Sequence, residues 1–204
     1  MNSHDLQLQA GAFCLDFANT ADWHASQQPL ETLKSYPDLV AWAQKKGVLT
    51  EAEARRLLKA AEDCPAEAEA VLAEAIDLRE AIYRLFSAIA ARRPPEAGDL
   101  HLLNRALQTA YAHRQLAPLA GGFRWTWVGL AEALDPILWP AAHSAAELLT
   151  SAELERVKEC ADDRGCGYLF LDTSKNRSRQ WCSMESCGNR AKVQRHRQRR
   201  QAAK

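Results

Sequence analysis

Four of the six cysteines, Cys160, Cys166, Cys182 and Cys187, fall in the pattern C-x5-C-x15-C-x4-C. Two close pairs divided by a spacer are the sequence form of a tetrahedral zinc site. Each short loop presents two thiolates, and the spacer lets the loops converge on one ion. Met1–Asp5 opens without a basic stretch leading into an apolar run, so no secretory signal is expected. In a reducing cytoplasm, clustered thiols favour metal over disulfides. Neither pair is C-x-x-C, so the thioredoxin-type redox motif is missing. Four thiolates also complete the coordination sphere and leave no place for an activated water, which makes the expected Zn2+ structural rather than catalytic.

Other chemistry finds little support. The histidines at 4, 24, 101, 113, 143 and 196 form no H-E-x-x-H or H-x3-H pattern, and the chain carries neither a Gly-rich phosphate loop nor a Gly-x-Ser-x-Gly elbow. Cys14 and Cys64 read as small core hydrophobes. The chain is therefore expected not to be an enzyme.

The second signal is charge. The whole chain of 204 residues is neutral, with 26 basic and 26 acidic side chains. From Thr173 to Lys204, however, ten Lys/Arg face one acid, Glu185, a net of +9 that leaves −9 for the rest. An acidic body with a strongly basic end has a directed field, and the end can meet a polyanion while the body faces something else. Folding of the basic end back onto the acidic body is the alternative. After Cys187–Gly188 the segment 189–204 is rich in Arg, Lys, Gln and Ala, which predicts a helix leaving the zinc knuckle, with Gly188 allowing an unusual backbone angle there. At 100° per residue its cations point around most of the circumference, as on a solvated helix lying between phosphates; a frayed solubilising tail is the plain alternative. Arg177 and Arg179 add a second basic cluster before Trp181. The candidate nucleic-acid-binding residues are thus Arg177, Arg179, Arg190, Lys192, Arg195, Arg197, Arg199 and Arg200.

The elements that must position this end come earlier. With 47% hydrophobic and 25% charged residues the chain can bury an ordinary core, and no run approaches the roughly 18 apolar residues of a membrane span. Leu6, Leu8 and Ala10 alternate as a first strand that runs into a short helix through Phe13–Thr20. Pro37 and Gly47 bracket a helix over 38–46; Thr50 and Glu53 form a capping box for the next. The longest helix is expected over 66–92, stopped by Pro94–Pro95, with Leu72, Ile76, Tyr83 and Phe86 on its apolar face. A helix over 99–112 is followed by Leu116–Leu119 and, after Gly121–Gly122, by Phe123–Val128, which together suggest a hairpin. There Trp125 and Trp127 share one face and are expected against helices. Segment 136–150 is helical again. Ser151 is expected to start a helix carrying Cys160 into the finger, and Tyr168–Asp172 a strand within it. With no low-complexity linker, the finger should be docked rather than tethered.

The runs Gly167–Ser174, Arg179–Met184 and Cys187–Lys192, with Cys-Gly-Asn-Arg at Cys187–Arg190, closely resemble the CGNR zinc-finger family over about residues 155–200. The resemblance implies a zinc-binding, DNA-binding module at the end of bacterial transcription regulators. One departure is the first pair's gap of five, slightly longer than the family's usual one, so Cys160 is the ligand to check. The Cys14–Thr20 stretch (Cys-Leu-Asp-Phe-Ala-Asn-Thr) and the Leu78–Ile82 run resemble the ABATE domain that precedes such fingers, which implies a stress-induced transcription regulator.

Arg79 projects from the expected apolar face of the long helix, where an unpaired guanidinium costs several kcal/mol. Asp16 is its expected partner and Asn19 a third member of the cluster. The cluster reads either as a buried ion pair or as a pocket for a small anionic effector.

The fold expected is therefore α+β: a predominantly helical N-terminal domain, residues 1–150, with a small antiparallel sheet, for sensing or assembly, and a small zinc finger with a basic helix, residues 151–204. The expected function is zinc-dependent DNA binding by a transcription regulator, with an RNA-binding protein or a protein-interaction adaptor as alternatives. The expected setting is the bacterial cytoplasm, with the protein nucleoid-associated when bound, away from the membrane and in the assembly reading a homodimer.

Overall fold

The structure, a computed structural model, describes residues 9–130 and 133–194. Leu6 and Leu8 of the expected first strand, and Arg195, Arg197, Arg199 and Arg200 of the basic helix, lie outside the described residues.

Six helices carry the body: α1 (Phe13–Ala18), α2 (Tyr36–Lys45), α3 (Glu51–Asp63), α4 (Pro65–Ala90), α5 (Ala97–Ala112) and α6 (Leu138–Leu149). Three antiparallel pairs complete it: β1 (Ala21–Asp22) with β2 (Leu30–Glu31), β3 (Arg114–Leu119) with β4 (Gly122–Trp127), and β5 (Val157–Glu159) with β6 (Leu169–Leu171). The architecture is the expected mainly helical α+β fold with small antiparallel sheets and a C-terminal finger.

Local chemistry sets the helix ends. The Ser35 hydroxyl accepts from the Asp38 N–H with Pro37 in the first turn of α2. Thr50 and Glu53 close the capping box of α3, the Thr50 N–H donating to Glu53 Oε2 at 2.7 Å. The central helix is α4, which touches α1, α2, α3, α5, α6 and both strands of the finger. Its buried side is Val71, Ala75, Leu78, Ile82 and Leu85, with Tyr83 and Phe86; the expected Leu72 and Ile76 are only half-buried. The face is rotated because α4 is enclosed by helices and finger together, not laid on a single layer.

Two further expectations are corrected at the entry to the finger. Residues after Ser151 form one 3-10 turn, Ala152–Arg156, and then β5, because Val157–Glu159 pairs in register with Leu171–Leu169. In the hairpin, Trp127 packs near Trp139 and His143, whereas Trp125 is 53% exposed and does not pack into the helices. The finger is docked, since Val157, Leu169 and Leu171 belong to the same hydrophobic core as Leu15, Phe17, Leu39, Ile82 and Phe86. Among the described residues no helix is long and apolar enough to cross a membrane.

Candidate metal centre and its joints to the body

Strand β5 delivers Cys160 at its end, and the loop 161–168 returns as Cys166 into β6. A loop over 172–181 then brings Cys182, and a single wide turn, Met184–Gly188, brings Cys187. In that turn the Gly188 N–H reaches back to the Ser183 carbonyl at 2.9 Å. The φ of Gly188 is not left-handed, so the expected unusual angle is not found, and the atoms within 3 Å of a Cβ placed there belong to the end of the exposed Met184 side chain.

The four Sγ atoms lie within 4.8 Å of one another, with Cys166–Cys182 at 3.7 Å and Cys182–Cys187 at 3.6 Å. A tetrahedron with Zn–S bonds of about 2.3 Å has S···S edges of about 3.8 Å, so the cluster fits Zn2+. Cys160, despite the longer gap, is a full member, and its Sγ accepts from the Cys182 N–H at 3.4 Å. Bound zinc would link β5, β6 and the wide turn, supplying cohesion and no open coordination position. Cys14 lies elsewhere, fully buried, and burial pushes its thiol up to about 12, as befits a core hydrophobe.

Around the thiolates the expected basic residues divide. Arg190 donates from Nη2 to Cys187 Sγ at 3.0 Å and lies 3.6 Å from Asp162 Oδ2. Asp162 also takes a bidentate pair from Arg164; that contact, outweighing burial, holds its carboxyl well below the usual range. Arg179 donates to the carbonyls of Trp181 and Cys182, and its guanidinium sits 4.2 Å from the Phe170 ring centroid. Arg179 and Arg190 are thus engaged by the finger itself, Arg190 with its side chain 42% exposed. Lys192 and Arg177 are exposed, Arg177 with an ion pair to Glu155 at 3.1 Å. Residues 189–194 are helical, as expected of the start of the basic helix. A cleft of about 870 Å³ separates the end of α4 from the finger, rimmed by Arg93, Lys158, Arg164 and Arg190 and by Glu159, Asp162 and Asp163.

Besides the shared core, several contacts hold the finger on the body, and the sequence pattern marks only parts of them. Asn19 pairs with the β6 backbone in both directions, donating to the Leu169 carbonyl at 2.8 Å and accepting its N–H at 2.9 Å. Gly165 (φ +92°) and Gly167 (φ +65°) press against the loop at Ala25–Ser26 so closely that a Cβ would come within 2.5 Å of Ser26 Cα and 2.6 Å of the Ala25 nitrogen. Trp23 receives two finger guanidiniums, Arg164 and Arg190, each 5.3 Å from its ring centroid. No sequence pattern marks Trp23, whose partners lie far along the chain.

The expected Asp16–Arg79 pair does not form. Buried Asp16 accepts from Lys46 Nζ at 3.0 Å and from the N–H groups of Gln9 and Ala10. Arg79, 3% exposed, makes a bidentate pair with Glu31 at 2.7 Å and a second contact with Glu80. Glu80 meets His24, which stacks on Tyr83; Tyr83 and Ser87 then bond Glu159 of β5. The reason is tertiary: β2 places Glu31 over α4, while α2 ends in Lys46 beside Asp16. Asp16 and Arg79 therefore sit in separate networks, and among the described residues every buried polar side-chain atom has a partner.

This geometry defines a class: a four-cysteine zinc finger built into the core of a helical α+β body. The CGNR zinc-finger model matches residues 156–200, and the ABATE model, described as "Putative stress-induced transcription regulator", matches residues 11–152. The chain belongs to the ABATE family and carries a CGNR zinc finger at its C-terminal side. No curated protein matches it.

Proposed function

We propose that the chain is a DNA-binding regulator in which zinc seats a basic helix for contact with phosphates. The observation that carries this reading is where the charge begins: the +9 end starts at the finger, and the wide turn at Cys187 leads directly into helix at 189–194. Cations on a helix fixed at one end by metal lose less freedom on meeting a polyanion than cations on a loose tail. Arg177, Lys192, Arg195, Arg197, Arg199 and Arg200 are the phosphate contacts in this reading. Arg179 and Arg190 hold the finger in shape, Asn19 joins it to the body, and Asp16 and Arg79 hold ion pairs within the body.

The test is a salt series with the zinc-loaded protein on duplex DNA. Log affinity should fall linearly with log salt, and Arg177→Ser or Lys192→Ser should each reduce the slope by about 1. A salt-independent or negligible affinity contradicts the reading. Stronger binding to structured RNA than to duplex in direct competition would assign the same cations to RNA.

A further inference from the structure

We propose that the β3–β4 hairpin is the surface on which two copies of this chain associate, through the apolar face of the ribbon, which nothing else among the described residues covers. In the ladder Leu116 stands opposite Trp125 and Pro118 opposite Phe123, so these four side chains share one face. They are the wrong residues for water: Phe123 is 75% exposed, Leu116 59% and Trp125 53%. Together they offer on the order of 500 Å² of apolar surface, a large patch for a monomer and over half of the ~800 Å² each partner brings to a standard interface.

The base of the hairpin is fixed. Trp127 packs near Trp139, His113 stacks on Trp139 at 3.9 Å, and Arg114 lies 5.2 and 4.8 Å from the Trp125 and Trp127 centroids. A held base with an uncovered apolar tip is an arm, and a two-stranded ribbon of this kind is marginal by itself.

A second copy answers each of these features. A two-fold axis between the ribbons lays one apolar face on its equivalent, takes both from water and buries on the order of 1,000 Å² in all, the lower bound of a specific interface. The hairpin carries two cations, Arg114, held against Trp125 and Trp127, and Arg124, which alternates to the opposite face, too few for a polyanion. The arrangement stands apart from the nucleic-acid reading, since it uses none of the finger's residues.

Sedimentation equilibrium of the full zinc-loaded chain tests it. The protein should run at twice its 22.7 kDa chain mass. Phe123→Ser/Trp125→Ser, both at exposed sites, should raise the dimer dissociation constant by about 100-fold or more with an unchanged thermal melt. Leu116→Lys, on the other strand of the same face, should weaken it likewise if the double variant folds poorly. Amide exchange over 122–127 should slow as concentration rises. A chain that stays monomeric well above micromolar concentration, a dimer indifferent to these variants, or concentration-dependent protection elsewhere would each overturn the proposal.

Discussion

The guanidinium of Arg190 lies 5.3 Å from the ring centroid of Trp23 while its Nη2 donates to Cys187 Sγ at 3.0 Å. One side chain therefore connects a metal ligand of the finger with an aromatic ring of the body. An N–H donor to a coordinating thiolate stabilises its negative charge and fixes its orientation.

Arg190→Ala should weaken zinc binding by about 10- to 100-fold in competition with a chelator, and Arg190→Lys should recover only part, because an ammonium cannot both reach the sulfur and lie flat on the indole. Trp23→Ala should produce a smaller loss in the same direction. The charge-transfer band of the cobalt-substituted protein should shift in Arg190→Ala. Unchanged affinity and spectrum would remove Arg190 from the metal's surroundings.

Removal of zinc should loosen the finger, with amide protection over 161–167 and 182–194 lost first and that over β5 and β6 reduced. Structural zinc contributes about 10–16 kcal/mol in isolated finger peptides, and here the shared core of Val157, Leu169 and Leu171 retains part of the order. Cys160→Ser should behave like Cys187→Ser, since both sulfurs belong to one cluster. Intact protection in the chelated protein would contradict this.

Arg79→Met should destabilise the body by about 2–3 kcal/mol, at the low end for a broken buried pair because Glu31 and Glu80 keep partial contact with water. Burial by itself would raise both carboxyls, but Arg79 holds Glu31, and His24 and then Arg79 hold Glu80, below the ordinary value. A depressed folded value means the contribution is complete above the unfolded value near 4.5 and disappears as pH falls through the folded one. Urea melts should therefore show the gap between wild type and Arg79→Met closing below about pH 4.5. A gap independent of pH would mean that the guanidinium acts by packing alone.

Gly167→Ala should cost on the order of 2–3 kcal/mol, because φ is left-handed and the new Cβ would meet the Ala25 nitrogen and the Tyr83 hydroxyl oxygen, each at 2.6 Å. Gly121→Ala, also left-handed but with open space around it, supplies the backbone cost alone. Equal losses at the two positions in denaturant melts would show that finger and body are not in close contact at Gly167.

What the sequence disclosed is what is local. The Thr50–Glu53 box, Pro37 at the start of α2, the Gly121–Gly122 turn and the cysteine spacing each act within a few residues, and each appears where the chemistry requires it. What stayed hidden depends on partners brought in by the fold. Arg79 meets Glu31 across 48 positions rather than Asp16, and Val157–Glu159 becomes a strand because β6 lies beside it. Counting charges also treated Arg179 and Arg190 as equivalent to Lys192, although nearby carbonyls and a thiolate engage the first two.

The central claim is that a zinc-seated basic helix holds phosphates, and its most direct test compares the zinc-loaded full chain with one ending at Gln194 on random-sequence duplex DNA. The shorter chain keeps all four cysteines and Arg190 but lacks Arg195, Arg197, Arg199, Arg200 and Lys204. Zinc content should be equal in both, binding by the full chain steeply salt-dependent, and the salt slope smaller by about 4–5 on truncation. Equal affinity and slope for the two would contradict it.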